Sequence, residues 1–542
     1  MKSIYNKLVL IPAMALTLAA CNESDFLDLN NPNNQTETVY WVNEASVQAA
    51  MATVYSPIRG QMYGYYGAFT GFQNMNVRAD DTWGIPNDDP ETWAITIFNN
   101  TPNTDRYDFG RLYTCIQRAN VLLSKIEGVE IDATKKAELI AEAKFLRGFS
   151  YFLLVTNHGE VPLRVRPSNE NAEDQMVGSS PEADIWAQVE ADLRDAKEGL
   201  PITRPTTEEG RVTKGAAIAY LGKAYVFQGK YSEGESELKT IMQSPYNYDL
   251  VENFEDNFTE FTEMNKESIF EIVYDGGFGS GSWGSEGAND TQGSVLANFF
   301  GPEGTGGWFK VMPTASIVDE FISEVRPEGS DTKFDKRMYL SFYFKHSDMG
   351  DVVEDETWFG GKDFDTLWAG VEGKRAKGQP DYSVYNGVKG RFMTKKFTNF
   401  YLDDPSANSM YNQKNQNNNL RVMRFAEVLL LHAEACIKNG KLQEAADDLT
   451  RIRDRAGLAK KTWAGADELW EEMVHQKALE LFFEGHRFFD LKRWYGYQGM
   501  KDLFIKNKKQ GAESFQEKHL YFPIPQGEVD TNTEIQQHPL WR

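Results

Sequence analysis

Lys214–Met242 reads KGAAIAYLGKAYVFQGKYSEGESELKTIM, and Phe425–Ile452 reads FAEVLLLHAEACIKNGKLQEAADDLTRI. With Gly229 set against Gly440, Leu221, Gly222, Ala224, Tyr225, Tyr231, Gly234, Leu238 and Ile241 fall on His432, Ala433, Ala435, Cys436, Leu442, Ala445, Leu449 and Ile452. Small and apolar positions therefore recur at one helical spacing on both sides of a central glycine. This is the spacing of a tetratricopeptide-type helix–turn–helix unit, in which small residues let two helices approach and the glycine ends the first. A single unit cannot bury its apolar face alone, so the two copies predict further helices that cover them.

Helical periodicity extends outward from the repeats. Asn43–Ile58 lines up Ala45, Val47, Ala50, Met51 and Val54, and Arg106–Ile126 lines up Leu112, Ile116, Ala119, Leu122 and Leu123. Thr134–Val155 (Leu139, Ala143, Leu146, Phe149, Leu153) and Pro181–Leu200 precede the first repeat. One long helix, Asp467–Trp494, follows the second, with Val474, Ala478, Leu481, Gly485 and Phe488 inward. Two stretches hold no helical period. Gly60–Asn100 is crowded with Gly, Tyr, Trp, Asn and Asp, and reads as surface loops. Phe254–Arg391 is Gly- and Trp-rich, with strand-like alternation only at Ser268–Tyr274 and Met338–Phe344. The expected fold is mainly α, with a helical scaffold mainly at 41–60, 105–250 and 420–495 and variable loops at 60–100 and 254–415.

Residues 1–20 form a signal peptide: Lys2 and Lys7, then an apolar run too short to span a membrane. The run ends Leu18-Ala19-Ala20-Cys21, which resembles a lipobox, so Cys21 is the expected lipidation site. Residues 21–40 read as the lipidated tether, and Glu23, Asp25 and Asp28 resemble a surface-export signal. The expected location is the outer membrane, lipid-anchored and surface-exposed, with the folded unit at 41–542. Cys115 and Cys436 lie in helical patterns and are expected to be buried free thiols. A net charge of −23 over 542 residues argues against nucleic acid, whose binders need a basic footprint.

Glu480, Glu484, Arg487 and Asp490 share one helical face. Carboxylates at such spacing pair as structural ions more often than they serve a glycosidase. His432 and Cys436, four apart, have metal-ligand spacing, but no second pair accompanies them and core packing is expected. There is no His-Glu-x-x-His, no P-loop and no nucleophile elbow. Asp80-Asp81 and Asp88-Asp89 are acid pairs of the kind a structural Ca²⁺ uses, though solvated loop acids are the expectation and no cofactor is called for.

Aromatic residues outside the helical periods carry more information. A sugar ring has a flat C–H face that stacks on Trp or Tyr, and hydroxyls that bond to Asn, Asp or Arg. Tyr63, Tyr65, Tyr66, Asn74, Asn76, Arg78, Asp80, Asp81, Trp83 and Trp93 form one such mixture. Trp283, Asn289, Trp308, Trp358 and Trp368 form another. The ligand-binding expectation rests on Trp83, Trp283, Trp308, Asp80, Asp81, Arg78, Asn76, Tyr65, Trp93 and Trp358, with Trp83, Trp283 and Trp308 foremost.

Four ordered motifs carry a family resemblance. They are YTCI at Tyr113–Ile116 with Ala119-Asn120, AEAKFLRGFSYF at Ala141–Phe152 running to Leu163, RFAEVLLLHAEA at Arg424–Ala435, and ELFFEGHRFFDLKRW at Glu480–Trp494. The tail FPIPQ at Phe522–Gln526 with QHPLW at Gln537–Trp541 completes them, His538 standing where Asn is more usual. In these the chain resembles the SusD/RagB family of outer-membrane lipoproteins. The resemblance implies a SusD-like helical scaffold with tetratricopeptide-like pairs and an irregular half. It also implies a non-catalytic oligosaccharide-binding role, and a SusC-like TonB-dependent transporter barrel as partner for nutrient uptake. A peptide-binding, RagB-like role is the alternative, and a glycoside hydrolase a distant third.

Overall fold

The computed structural model describes residues 40–60, 64–84, 89–168, 172–275, 293–302, 307–351, 363–366, 368, 391–398 and 417–542. Cys21, Tyr63, Asp88, Trp283, Asn289 and Trp358 lie outside the described residues.

The scaffold opens with α1 (Glu44–Arg59), capped by Asn43, whose side chain accepts from Ser46 N–H at 3.0 Å. After α2 (Gly71–Val77), β1 (Thr82–Gly84) and α3 (Pro90–Thr96) come α4 (Phe109–Lys125) and α5 (Ala133–His158). Asp132 caps α5 by accepting from Thr134 and Lys135 N–H, and Gly159 ends it at φ +72°. The helix α6 (Glu182–Gly199) packs along α5, with Arg147 and Asp192 joined by a buried fork at 2.7 and 2.9 Å. α1, α4 and α6 agree closely with their sequence patterns because each buries one apolar stripe, whereas α5 is buried on every side from Phe145 to His158.

The first repeat forms α7 (Lys214–Phe227) and α8 (Tyr231–Ile241). A Cβ at Gly222 would sit 2.6 Å from Leu238 Cγ, so the small residue sets how closely the two helices approach. Gly229, between them, has φ +74°. The chain continues through β2 (Ser268–Ile272), β3 (Val311–Pro313), α9 (Ala315–Ser323), β4 (Phe342–Phe344), β5 (Phe392–Thr394) and β6 (Leu420–Arg424). The second repeat follows as α10 (Phe425–Lys438) and α11 (Leu442–Arg455), with Gly440 at φ +77° matching Gly229. The repeats are distant in sequence but stack directly: α8 lies on α10, and Lys223 meets Glu427 at 2.7 Å between the first helices.

Short antiparallel ladders close the irregular half. β2 pairs with β6, bringing its two ends to one neck, and β4 pairs with β5. Thr394 Oγ1 donates to the Val311 carbonyl at 2.9 Å, joining β5 to β3. Ala297, Phe309, Met312, Tyr343, Phe364, Trp368 and Met393 form a hydrophobic cluster of their own here.

Three expectations need correction. Met338–Phe344 is not a strand throughout, since Lys336–Ser341 is helical and only Phe342–Phe344 forms β4. Gly60–Asn100 is not all loop, since it contains α2 and α3. At seven residues, about two turns, α2 is too short for a period to repeat. The long helix at Asp467–Trp494 is two helices, α12 (Ala466–Glu480) and α13 (Arg487–Lys506). Phe483 and Gly485 take positive φ, 60° and 80°, and turn the chain between them. The carbonyls released by that turn are bonded rather than orphaned. Those of Glu480 and Phe482 accept from buried Lys396 Nζ at 3.2 and 2.8 Å, and that of Glu480 also accepts from Arg424 at 2.6 Å.

Candidate aromatic binding face

The two segments singled out for their aromatics meet in one ladder. β1 pairs antiparallel with β3, with Thr82 opposite Pro313, Trp83 opposite Met312 and Gly84 opposite Val311. Trp83 is half-buried and packs on the edge of the Met312–Tyr343–Trp368 cluster. Trp308, also half-buried, stands a few residues before β3. Its N–H donates to the Asn298 carbonyl at 2.8 Å, and Phe309 N–H to Gly301 at 2.9 Å. A Cβ at Gly307 would lie 2.3 Å from the Gly301 carbonyl oxygen, so only glycine allows this approach. Phe299 lies against the Trp308 ring at 5.0 Å, and Lys310 Nζ is 5.0 Å from its centroid, so part of that ring is engaged from within. Trp93, half-buried, rides on α3, whose Thr96 abuts Gly84 of β1.

The polar candidates occupy a different place. Arg78, Asn76, Asp80, Asp81 and Tyr65 are all buried behind the ladder. The Arg78 guanidinium lies between the rings of Phe488 and Phe522, 3.7 and 3.9 Å from their centroids, and donates to Asn157 Oδ1 at 3.1 Å. Asn157 also donates to Tyr65 Oη at 2.8 Å. Asn76 Oδ1 accepts from Gly485 N–H at 3.2 Å. Asp80 accepts a fork from Arg487 at 2.9 and 3.2 Å and a third bond from Asn507 at 2.6 Å. These groups brace the wall from inside, and a ligand on its outer side does not reach them. Tyr66 and Trp368 are likewise core residues, and Asn74 donates to the Arg106 carbonyl at 2.6 Å.

Electrostatics separate the two adjacent acids. Burial favours the neutral form of Asp80, but Arg487 and Asn507 outweigh it and hold its carboxyl below the usual range. Burial, helped by the Asp80 charge, pushes Asp81 up to about 7. Splitting of this kind can mark an acid–base pair. Here the residues are sequence neighbours only 1% and 4% exposed, not carboxyls facing across a cleft. Of the Ca²⁺ candidates, Asp80 is engaged as above, and Asp89 caps α3 and pairs with Arg106 at 3.3 Å.

The other acids at motif spacing are also internal. Glu480 and Glu484 are buried, and bond to cations from other elements rather than to each other. Asp490 pairs with Lys477 and Arg493 at 2.9 and 2.8 Å. Cys115 and Cys436 are free and buried.

Two features escaped the sequence reading. Arg391 lies 5.0 Å over Phe364 and 5.8 Å over Trp368, bonded to Asp348 and Asp365, and so forms a charged rim beside the Trp83 cluster. Its segment has no period, and nothing local marked it. A separate cleft of about 400 Å³ lies between α1 and β2, lined by Met51, Tyr55, Arg59, Arg211 and Val273.

Comparison with known proteins supplies the family. The SusD family profile matches residues 266–541, and a profile described as starch-binding, associating with outer membrane, matches residues 25–226. A SusD-like protein of Bacteroides ovatus is 24% identical over 528 residues, covering 93% of this chain and 86% of its own. SusD-like protein P2 of Formosa agariphila is 25% identical over 451 residues, 78% of each chain. Among solved structures, a SusD superfamily protein from Bacteroides vulgatus superimposes with a TM-score of 0.77 at 28% identity, covering 93% of this chain and all of that one. A laminarin-binding SusD-like protein gives 0.72 at 25% identity, covering 92% and 100%. The helical scaffold, the paired repeats and the profile over half the chain lead to one assignment: the chain belongs to the SusD family.

Proposed function

We propose that the protein is a non-catalytic glycan-binding lipoprotein of the outer membrane, anchored through Cys21 and exposed at the cell surface. It captures an oligosaccharide and delivers it to a SusC-like TonB-dependent barrel for uptake. The observation that carries this reading is the placement of Trp83. Its side chain is mostly packed on the Met312–Tyr343–Trp368 cluster, with the indole nitrogen buried and only part of the residue exposed, on a ladder locked from behind by Asp80–Arg487 and the Arg78 stack. A rigid, partly exposed indole meets a sugar's C–H face with little ordering cost. Trp93 on α3 and Trp308 before β3 are the other partly exposed indoles of the two joined segments, and Arg391 with Asp348 and Asp365 supplies polar partners for hydroxyls at the rim. Trp283 and Trp358 remain ligand-binding candidates by their sequence context alone, as both lie outside the described residues. Arg78, Asn76, Asp80, Asp81 and Tyr65 contribute by fixing the wall. The laminarin-binding relative supports the ligand class.

Titration calorimetry of the purified protein against a glycan panel, with β-glucan oligosaccharides included, tests the reading. Binding is expected for at least one glycan, with Trp83→Ala weakening it. Binding of peptides with no binding of any glycan would refute it in favour of the RagB-like alternative. Reducing-end release on prolonged incubation would refute the non-catalytic assignment.

A further inference from the structure

His432 and Cys436 stand one turn apart on α10, and folding supplies the second pair of donors that the sequence did not offer. Glu235 arrives from α8 of the first repeat, and Glu444 from α11. One ligating atom from each of the four residues lies within 4.8 Å of the other three. Glu235, His432 and Cys436 are buried, and Glu444 is at the partly exposed edge. His432 Nδ1 bonds Asp448 Oδ2 at 2.6 Å, and Nε2 lies 3.6 Å from Cys436 Sγ. A zinc ion about 2.3 Å from sulfur and about 2.0–2.1 Å from imidazole nitrogen holds the two tetrahedral donors roughly 3.5 Å apart, so that edge is already formed. A carboxylate on the far ring nitrogen is the usual device that orients a metal-bound histidine. The glutamates are meanwhile bonded to Asn439 at 2.8 Å, to Lys441, and to Lys239 at 2.6 Å. Those lysine side chains are 48% and 42% exposed, so both have solvent to turn into if a competing cation takes the carboxylates.

We propose that Glu235, His432, Cys436 and Glu444 bind one Zn²⁺-class ion, with Asp448 as the positioning residue for the His432 ring. On binding, the Cys436 thiol releases its proton to solvent and the thiolate forms the metal–sulfur bond. A mixed sulfur, nitrogen and oxygen donor set selects Zn²⁺ or Co²⁺ over Ca²⁺ and Mg²⁺, which take oxygen ligands. Three donors belong to the second repeat and one to the first, so the ion fastens together two units far apart in the chain. None of the four belongs to the cluster around Trp83. The four residues lie on the repeat helices α8, α10 and α11, so the site is read through scaffold stability.

The test uses the full chain, stripped with a chelator and titrated with Zn²⁺ against a chromophoric competitor, and separately with Co²⁺. The expected result is one equivalent per chain, a thiolate-to-cobalt charge-transfer band, tetrahedral cobalt bands and a thermal midpoint that rises with Zn²⁺. Cys436→Ser should abolish the charge-transfer band. Asp448→Asn should weaken Zn²⁺ binding about 10–100-fold while keeping that band. Glu444→Gln, at the open edge, should lower affinity with folding intact, and so reads the site even if the Cys436 variant fails to fold. Lack of stoichiometric binding at micromolar Zn²⁺, cobalt bound without a thiolate band, or affinity unchanged by Glu444→Gln would each overturn the proposal.

Discussion

Replacing Arg424 by alanine should destabilise the protein more than any change on the aromatic face. Arg424 is buried at the end of β6 and donates to Glu267 at 2.6 Å, to Glu480 at 2.5 Å and to Glu484 at 2.8 and 2.9 Å. Arg337, Arg455 and Lys396 are the other cations of this cluster, and Asp335 is its fourth anion, so the charges of the eight groups balance. Alanine leaves one negative charge uncompensated away from water. Truncating one partner of a buried ion pair costs about 3–5 kcal/mol. Unfolding entropy is about 2.1 cal/mol/K per residue, roughly 1 kcal/mol/K for a chain of this size, so calorimetry at pH 7 should show a midpoint about 3–5 °C lower. Arg424→Lys keeps the charge but loses the fork, and should fall between. The pH dependence adds a second reading. Burial works against the charged forms of Glu480 and Glu484, yet the surrounding cations outweigh it and hold both carboxyls below the usual range. In the wild type their contribution is present above the unfolded pKa and is lost as pH falls through the folded one. In the variant an under-compensated carboxylate takes up a proton while folded, so the deficit should shrink from pH 7 toward pH 4. A midpoint loss under about 1 °C at pH 7, or a deficit that grows on acidification, would refute the reasoning.

Gly222→Val should cost about 1–3 kcal/mol by forcing the helices of the first repeat apart at Leu238, read as a lower chemical-denaturation midpoint. His475 gives a pH signature of opposite sense to the carboxylates. Burial disfavours its cation, but the hydrogen bonds it donates to the Glu320 and Glu324 carboxylates raise its pKa to about 9. The associated stability is complete below about pH 6.5, the unfolded value, and is lost as pH rises through about 9. His475→Gln should therefore be about 1–2 kcal/mol less stable than wild type at pH 6, a figure reduced for the half-exposed Glu320, and equal to it near pH 10 in urea titrations. Trp83→Ala should weaken glycan binding about fivefold or more, near 1 kcal/mol, and should also lower the thermal midpoint, because part of the indole packs on the Met312–Tyr343–Trp368 cluster. Asp80→Asn, which breaks the Arg487 pair behind the ladder, should lower both the midpoint and the affinity. Equal midpoints for Asp80→Asn and wild type would count against the bracing role.

The repeats were legible because their constraint is local. Gly222 and Gly234 face helices a few residues away, and Gly229 and Gly440 both take the left-handed backbone that glycine permits. α2 was illegible because it spans seven residues, about two turns, too few for a period to repeat, whereas α10 is as fully buried but twice as long. The break after Glu480 was masked by its own apolar residues. Leu481, Phe482 and Phe483 all point into the core, so the three-and-four spacing continues across a turn, and Gly485 alone marks it. On the candidate face, aromatic richness singled out two segments that the fold joins in one ladder, but it said nothing of the depth of each side chain. A polar residue beside a tryptophan reads the same in sequence whether it meets solvent or a distant ion. Asp80 finds Arg487 some four hundred positions away, and nothing near Asp80 announces that partner.

The turn between α12 and α13 gives the scaffold its connection to the aromatic face. Straightened into one helix, residues 481–485 would bond their own carbonyls internally. Lys396, two residues beyond β5, would lose the Glu480 and Phe482 oxygens that hold it. Gly485 would no longer offer its N–H to Asn76 on α2, and Arg487 would point away from Asp80, two residues before β1. Arg424, at the neck of the irregular half, is anchored to the same turn through Glu480 and Glu484. One short bend therefore fixes β6, β5 and β1 together, and through β1 it fixes Trp83. The carboxylates and arginines of the Glu480–Trp494 motif are internal, yet through β1 they set the orientation of Trp83 on the proposed binding face. Their burial follows from that role: an ion pair open to water is too weakly directional to hold a ring in place, whereas a buried, fully bonded one tolerates only a single arrangement.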